Sequence, residues 1–384
     1  MAGNLNGFVT GIVALGMAAT GVASGAETPS SSAFPRLVVE AMIDGAPVRL
    51  AADTCSQYSL LYRPAAKRLK LTVREPRSRE PSEIGGIRAG MAGPCRVAIP
   101  GAEPLSATLA VVDAPPVAGG MDGLLGWSEL QELVTEVDWA RRSITVHPAV
   151  PAAAAGWGAW RLSIWRDYAA VEIQPGDLAR GLVYLDTGSP YDVELSAARW
   201  REWTAANPGG AGTLVAFYSL ADGFVVSEVR RAERLTLGPL AFDDVPVLQN
   251  DPGSAGWPNF AASVGLATMA RYDMVFDGPG NRVLCRKRPS PAFEYPYNRM
   301  AAAFLPDSGG ALVARVLPGG PAARAGVRDG DVLVRIGDTE VRNLKGGFRS
   351  DGGASGATVK LGLRRDGKDI DVMVTMEELP RGSS

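Results

Sequence analysis

The stretch Val48-Arg49-Leu50-Ala51-Ala52-Asp53-Thr54-Cys55-Ser56 has a counterpart 133 residues further on, Gly181-Leu182-Val183-Tyr184-Leu185-Asp186-Thr187-Gly188-Ser189. In each, a short, mostly aliphatic run that reads as a buried strand ends in an Asp-Thr-x-Ser turn. The correspondence extends outward. Gly126, in Gly123-Leu124-Leu125-Gly126-Trp127, follows Asp53 by 73 residues, and Gly265, in Ser263-Val264-Gly265-Leu266, follows Asp186 by 79. Each half then closes in an acidic turn and a last strand, around Asp138 (VDWARRSITVHP) and around Asp277 (VFDGPGNRVLCRK). Three features in one order at offsets of 133, 139 and 139 residues mark an internal duplication. Between them, short strand-like runs alternate with Gly, Pro and Asp turns. Helical patterning is brief, at Trp127 to Thr135 and Ala197 to Ala206.

Composition narrows the chemistry. The chain has 384 residues, enough for two or three domains, and its 39 basic and 41 acidic residues nearly balance. No long same-sign block marks a nucleic-acid or membrane-surface partner. A single histidine, His147, excludes most Ser-His and Cys-His hydrolases and multi-histidine metal enzymes. Three scattered cysteines (Cys55, Cys95, Cys285) supply neither a disulfide framework nor a thiolate zinc site. Cys95 and Cys285 read as small buried hydrophobes and His147 as a bystander. No metal or cofactor is called for, and the chemistry left is that of carboxylates.

An Asp at the end of a buried strand, followed by small residues, lets backbone N–H groups and the Ser hydroxyl orient its carboxylate and tune its acidity. Two such turns facing each other place two carboxyls so close that both cannot ionise cheaply, and they share a proton. One then takes a proton from water while the other protonates a carbonyl oxygen.

This duplicated arrangement resembles the aspartic proteases in their two-lobed form, over about Leu37 to Lys287 and with lobe sizes closer to the retropepsin-like bacterial branch. The resemblance implies duplicated β-barrel lobes, 37–150 and 157–288, with Asp53 and Asp186 as the catalytic dyad. It implies Thr54 and Thr187 bonding across the lobe interface, Gly188 beside the dyad, and Ser56 and Ser189 next to the carboxylates. Leu124-Leu125-Gly126 and Ser263-Val264-Gly265 would pack behind the two turns. The sequence departs from the family pattern in reading DTCS in lobe one, where Cys55 replaces a glycine, in the small Ala51-Ala52, and in Ser263. Flap candidates are the hairpin of Gly85 to Gly90 and the segment Tyr218 to Phe224, each of which also reads as an ordinary turn. The tryptophans, among them Trp127, Trp157 and Trp160, read as core and interlobe packing. Gly209-Gly210-Ala211-Gly212 lacks the following Lys-Ser/Thr of a phosphate cradle.

Beyond the charged, proline-broken Arg286-Lys287-Arg288-Pro289-Ser290-Pro291 lies a third unit, 292–380. Gly310 to Asn343 (GALVARVLPGGPAARAGVRDGDVLVRIGDTEVRN) reads strand, turn, short helix and strand. Val359 to Val374 reads as a hairpin through Asp366-Gly367, and Gly346 to Gly356 as a loop. This unit looks like a PDZ domain of the bacterial secreted-protease type, an α+β fold. The resemblance implies capture of a peptide ligand by strand addition, with Ala303, Phe304 and Leu305 as binding residues, beside a carboxylate-binding loop near Ala301 to Leu305, where alanines replace the usual glycine.

At the other end, the uncharged apolar run Phe8 to Ala23 and the small residues Ser24-Gly25-Ala26 have the shape of a signal peptide, 1–26, followed by a linker, 27–36. No Lys or Arg precedes the run, and an uncleaved anchor is the alternative, the one route to a membrane. The expectation is an exported, periplasmic or secreted, aspartic-type endopeptidase acting on protein or peptide substrates, with the PDZ-like domain recruiting substrate or regulating access. The alternative is a catalytically inactive protease-like scaffold that binds peptides through its PDZ-like domain.

Overall fold

The computed structural model describes residues 12–13, 36–78, 80–84, 87–114, 120–163, 167–208, 212–219, 223–250, 259–307, 310–343 and 354–379. The expected signal peptide and linker lie outside the described residues except for Arg36 and for Ile12–Val13, a two-residue strand antiparallel to Tyr218 and Ser219.

The protein is mostly β, with barrel-like sheets and a C-terminal α+β unit. The duplication read from the sequence recurs in the strand order. In the first half, Ala46–Ala52, Gly123–Leu125, Leu60–Tyr62, Leu105–Val112 and Gly90–Ala98 lie side by side. In the second half, the order is Leu182–Leu185, Phe260–Val264, Val193–Leu195, Leu240–Gln249 and Gly223–Leu237. The sense of pairing is also the same in both: parallel, antiparallel, parallel, antiparallel. In the first half Val38–Ile43 pairs with both Ala46–Ala52 and Gly90–Ala98 and so closes the barrel. Its turn, Asp44-Gly45, has φ of 49° and 84° at the two residues, the left-handed pair that a tight hairpin requires.

The two halves are not separate at the level of the sheet. Val134–Asp138 pairs with Tyr272–Asp277, and Gly158–Arg161 pairs with Arg282–Lys287, so one 12-stranded sheet runs from the first half into the second. One hydrophobic core likewise includes Leu50, Trp127 and Val137 of the first half and Val183, Leu240 and Phe276 of the second. Trp127 meets Phe276 edge-on across the two halves, and Trp160 meets Tyr272 within the second. The helix expected over Trp127 to Thr135 is only a turn, Trp127–Leu130; Thr135 lies in the strand Val134–Asp138, where pairing on both edges overrides local helical patterning. The helix Ala197–Ala206 forms as read, capped by the Ser196 hydroxyl. Arg63–Arg68, opened by Pro64, is a helix the sequence reading passed over.

In the C-terminal unit, Ala302–Pro306, Leu312–Val316, Val332–Ile336, Thr358–Arg365 and Lys368–Thr375 form one sheet in that order. Its helix, Pro321–Ala325, ends at Gly326 with φ 101°, and the last hairpin turns at Asp366 (φ 50°) and Gly367 (φ 75°). Met300, Phe304, Leu312, Leu333 and Leu363 build its own core. The charged connector is not loose: Arg286 and Arg288 both bind the Asp273 carboxylate. Tyr297 and Leu379 then pack with Tyr191, Val229 and Leu248 of the second half.

Candidate active site

The two Asp-Thr-x-Ser turns meet where the two halves face each other. Asp53 and Asp186 are each buried, as are Thr54, Ser56, Thr187 and Ser189. Each turn is anchored in the same way from behind. The Asp53 amide donates to Leu125 O (2.9 Å) and the Asp186 amide to Val264 O (2.8 Å). The Trp127 amide donates to Ser56 O (2.7 Å) and the Leu266 amide to Ser189 O (2.8 Å). Gly126 and Gly265 are required here by closeness. A Cβ at Gly126 would lie 2.6 Å from Tyr58 O, and one at Gly265 would lie 2.4 Å from Tyr191 O. The two hydrophobic-hydrophobic-Gly elements do lie behind the turns.

The turns are bonded to each other through their threonines. Thr54 N donates to Thr187 Oγ1 (3.0 Å), and Thr187 N donates to Thr54 Oγ1 (3.1 Å). Each hydroxyl then donates onward across the interface, Thr187 Oγ1 to Ala52 O (2.8 Å) and Thr54 Oγ1 to Leu185 O. Closely opposed turns follow, and Gly188 shows how close: a Cβ there would sit 2.6 to 2.9 Å from the carboxylate atoms of Asp53.

Cys55 occupies the matching place in the first turn. Its amide donates to Asp53 Oδ1 at 2.9 Å, as the Gly188 amide does to Asp186 Oδ1 at 2.8 Å. The backbone contact that Gly188 makes in the second turn is therefore kept by Cys55 in the first. The thiol is buried across the lobe boundary, in a cluster with Tyr168, Ala170, Leu182 and Tyr184. Burial, and then the charges of Asp186 and Asp53, push it well above the ordinary thiol range. It remains protonated and is no nucleophile.

The serine hydroxyls do not orient the carboxylates. Ser56 Oγ donates to Tyr58 O (2.7 Å), and Ser189 Oγ donates to Glu194 Oε1 (3.0 Å). Each satisfies a buried acceptor of its own lobe, which takes precedence over a second bond to an aspartate already held by amides. Ser189 contributes its amide instead, to Asp186 Oδ1 at 3.1 Å.

Burial raises Asp53 to about 6, against the amides of Cys55 and Ser56 and the charge of Arg36, which lower it. Asp186 is pushed well above the ordinary carboxyl range by burial, then by the charges of Asp53 and Glu194. Among the described residues no group donates to Asp186 Oδ2. Both carboxyls are raised by burial, and the charge of Asp53 raises Asp186 further, so the pair favours holding one proton between them.

Glu194 is the site residue that sequence reading missed. It is buried, accepts from Ser189 Oγ and from Asn250 Nδ2 (3.1 Å), and burial raises it to about 7. The signal was legible. Glu194 stands between buried Val193 and Leu195 in a strand whose first-half counterpart is Leu60-Leu61.

Other expected residues are less central. His147 Nε2 lies 2.9 Å from Glu136 Oε2 on the last strand of the first half, away from the turns. A hairpin forms at each flap candidate, Glu83–Ile84 with Ile87–Arg88 and Gly212–Ser219 with Gly223–Leu237. The tips, 85–86 and 220–222, lie outside the described residues, as do Gly209-Gly210-Ala211 and most of the 346–356 loop. In the C-terminal unit the carboxylate-binding loop expected near Ala301 to Leu305 is instead the strand Ala302–Pro306, drawn into the sheet by pairing with Leu312–Val316; Ala303 and Phe304 are buried, Phe304 in the core, and Leu305 is half-buried.

Comparison with known proteins bears on this last unit. A PDZ domain family model matches residues 312–346. The C-terminal unit is a PDZ domain, a class that binds peptides. Among curated proteins, none matches the chain.

Proposed function

We propose that the protein is an aspartic-type endopeptidase, in which Asp53 and Asp186 activate water for direct attack on a peptide bond. The observation that carries this reading is the opposed pair of buried turns, latched Thr54 to Thr187, with Gly188 against the Asp53 carboxylate. Asp53, the more readily ionised partner, takes a proton from the water. Asp186, which holds its proton, donates it to the carbonyl oxygen as the tetrahedral centre forms. The proton then returns through the pair to the leaving amine, and no covalent intermediate arises. Activity that requires ionised Asp53 and protonated Asp186 rises with pH through about 6.

The PDZ domain, seated on the second lobe, would recruit the peptide or control access to the cleft. The uncharged apolar run near the N-terminus supports export, periplasmic or secreted, with tethering if it is not removed. Among the described residues no helix is long and apolar enough to cross a membrane. A second reading, an inactive scaffold that binds peptides through the PDZ domain, is favoured by the family match.

The test is proteolysis of a denatured peptide mixture, from acidic to neutral pH, by protein lacking residues 1–26. Asp53→Asn and Asp186→Asn serve as controls, with cleavage sites read by mass spectrometry. Cleavage lost in both variants is expected. Cleavage that survives both would refute the dyad, and a silent wild type would favour the scaffold.

A further inference from the structure

The duplicated lobes differ sharply in one buried layer behind the aspartates. In the first lobe it is apolar: Leu60 faces Leu124 across the strand pair, with Val112 beside them. In the second lobe the corresponding residues are polar: Glu194 faces Ser263, with Asn250 beside them. All three are buried. An acidic side chain in such a layer is costly, since among the described residues no cation bonds to it; its hydrogen bonds come from the Ser189 hydroxyl and the Asn250 amide.

Its placement ties it to one aspartate only. Ser189 joins the two: its hydroxyl binds Glu194 and its amide, at the other end of the same residue, binds Asp186 Oδ1. The titratable groups that feel Glu194 are Asp186 from the turn, Cys55 from the opposite turn and Tyr191 from the preceding loop. None of them is cationic. A negative charge at Glu194 has one useful effect in this setting: it makes Asp186 hold its proton more tightly.

We propose that Glu194 is a positioning residue that keeps the dyad asymmetric, biasing the shared proton onto Asp186 through its bond to Ser189 and its charge. The inference rests on the dyad reading for its catalytic consequence but not for its physical content. The first lobe, with Leu60 at the matching place, carries no such bias, so Asp53 is the partner that ionises. Burial raises Glu194 itself to about 7, so its charge develops over the upper part of the working range, where the dyad would otherwise lose its proton. Glu194 thus extends the alkaline side of the activity profile.

The experiment compares the wild type with Glu194→Gln, which keeps an acceptor for Ser189 and removes the charge. Carbon-13 NMR of carboxyl-labelled aspartate, assigned with Asp186→Asn, reads the Asp186 titration without any need for turnover. The expected result is a fall of about one pH unit in the Asp186 midpoint, with the alkaline limb of kcat/KM moving the same way. At a fixed pH on that limb the rate falls about tenfold, while the acidic limb, which follows Asp53, keeps its midpoint. A structural role alone would lower the rate or the thermal midpoint at every pH and move neither titration. Asn250→Leu, which withdraws the donor that favours ionised Glu194, is expected to shift the Asp186 midpoint in the same direction and guards against a folding defect in the first variant. An Asp186 midpoint unmoved in the soluble variants overturns the inference. A midpoint that moves in a protein without peptidase activity sustains the inference and overturns the proposed function instead.

Discussion

At the residue scale, three buried carboxyls meet near one centre, and their ionisation opposes folding. Asp53 is raised from 3.8 to about 6 and Glu194 from 4.5 to about 7, each chiefly by burial, and Asp186 moves in the same direction. The folded state therefore binds these protons more tightly than the unfolded chain does. The stabilisation is complete below about pH 4 and is lost as pH rises through 6 to 7; for Glu194 alone it is on the order of 3 kcal/mol. Asp138, Asp273 and Asp331, lowered by their hydrogen bonds and arginine partners, act oppositely and lose their contribution as pH falls below the ordinary carboxylate range. The thermal midpoint is expected to peak near pH 5 and to fall by pH 7.5. Glu194→Gln should flatten that fall, as calorimetry across the range will read; an equal fall in both proteins would contradict it.

At the scale of the element, the unit is the pair of turns. Each threonine hydroxyl both accepts from the opposite amide and donates to a carbonyl of the opposite strand. Thr187→Ala strands the Thr54 amide and the Ala52 carbonyl in a dry interface, at about 1–3 kcal/mol for each group left unsatisfied. Thr187→Ser keeps both bonds and should retain most of the stability. Chemical denaturation of both variants checks this, and Thr54→Ala combined with Thr187→Ala should cost less than the sum of the two, because they remove one shared network. The turns and their following glycines were legible in sequence because an abrupt Asp-Thr-x-Ser after a buried strand, and glycine where a Cβ would strike a carbonyl, are local requirements. The roles of the hydroxyls were not legible. Which acceptor Ser56 and Ser189 satisfy depends on Tyr58 O and Glu194, whose positions are set by folding.

At the scale of the molecule, the PDZ domain has its own core but is fastened to the second lobe through Tyr297. The Tyr297 hydroxyl donates to buried Asp192 (3.1 Å) and accepts from the Asp192 amide (3.3 Å); Asp192 is also held by Thr268 (2.8 Å). Tyr297→Phe removes both bonds and leaves Asp192 to Thr268 and the Arg271 guanidinium (3.7 Å). Hydrogen exchange is expected to quicken over Tyr295 to Ala301 while Val332–Ile336, inside the PDZ sheet, keeps its protection. Equal protection in the variant would mean that apolar packing by Tyr191, Val229 and Leu379 alone holds the domain.

Sequence by itself determined the repeat, the strand-rich character, the position of both aspartates and the C-terminal helix with its glycine stop, since each follows from local pattern and spacing. Only the tertiary structure decided the rest. The halves share a sheet because Val134–Asp138 finds its edge partner in Tyr272–Asp277, a contact between segments far apart in the chain. Cys55 is accommodated because its thiol enters an aromatic cluster of the other lobe, which no reading of DTCS contains. Glu194 becomes a member of the site because folding buries it behind Asp186, where the low-dielectric interior turns an ordinary carboxylate into a group that shifts its neighbours.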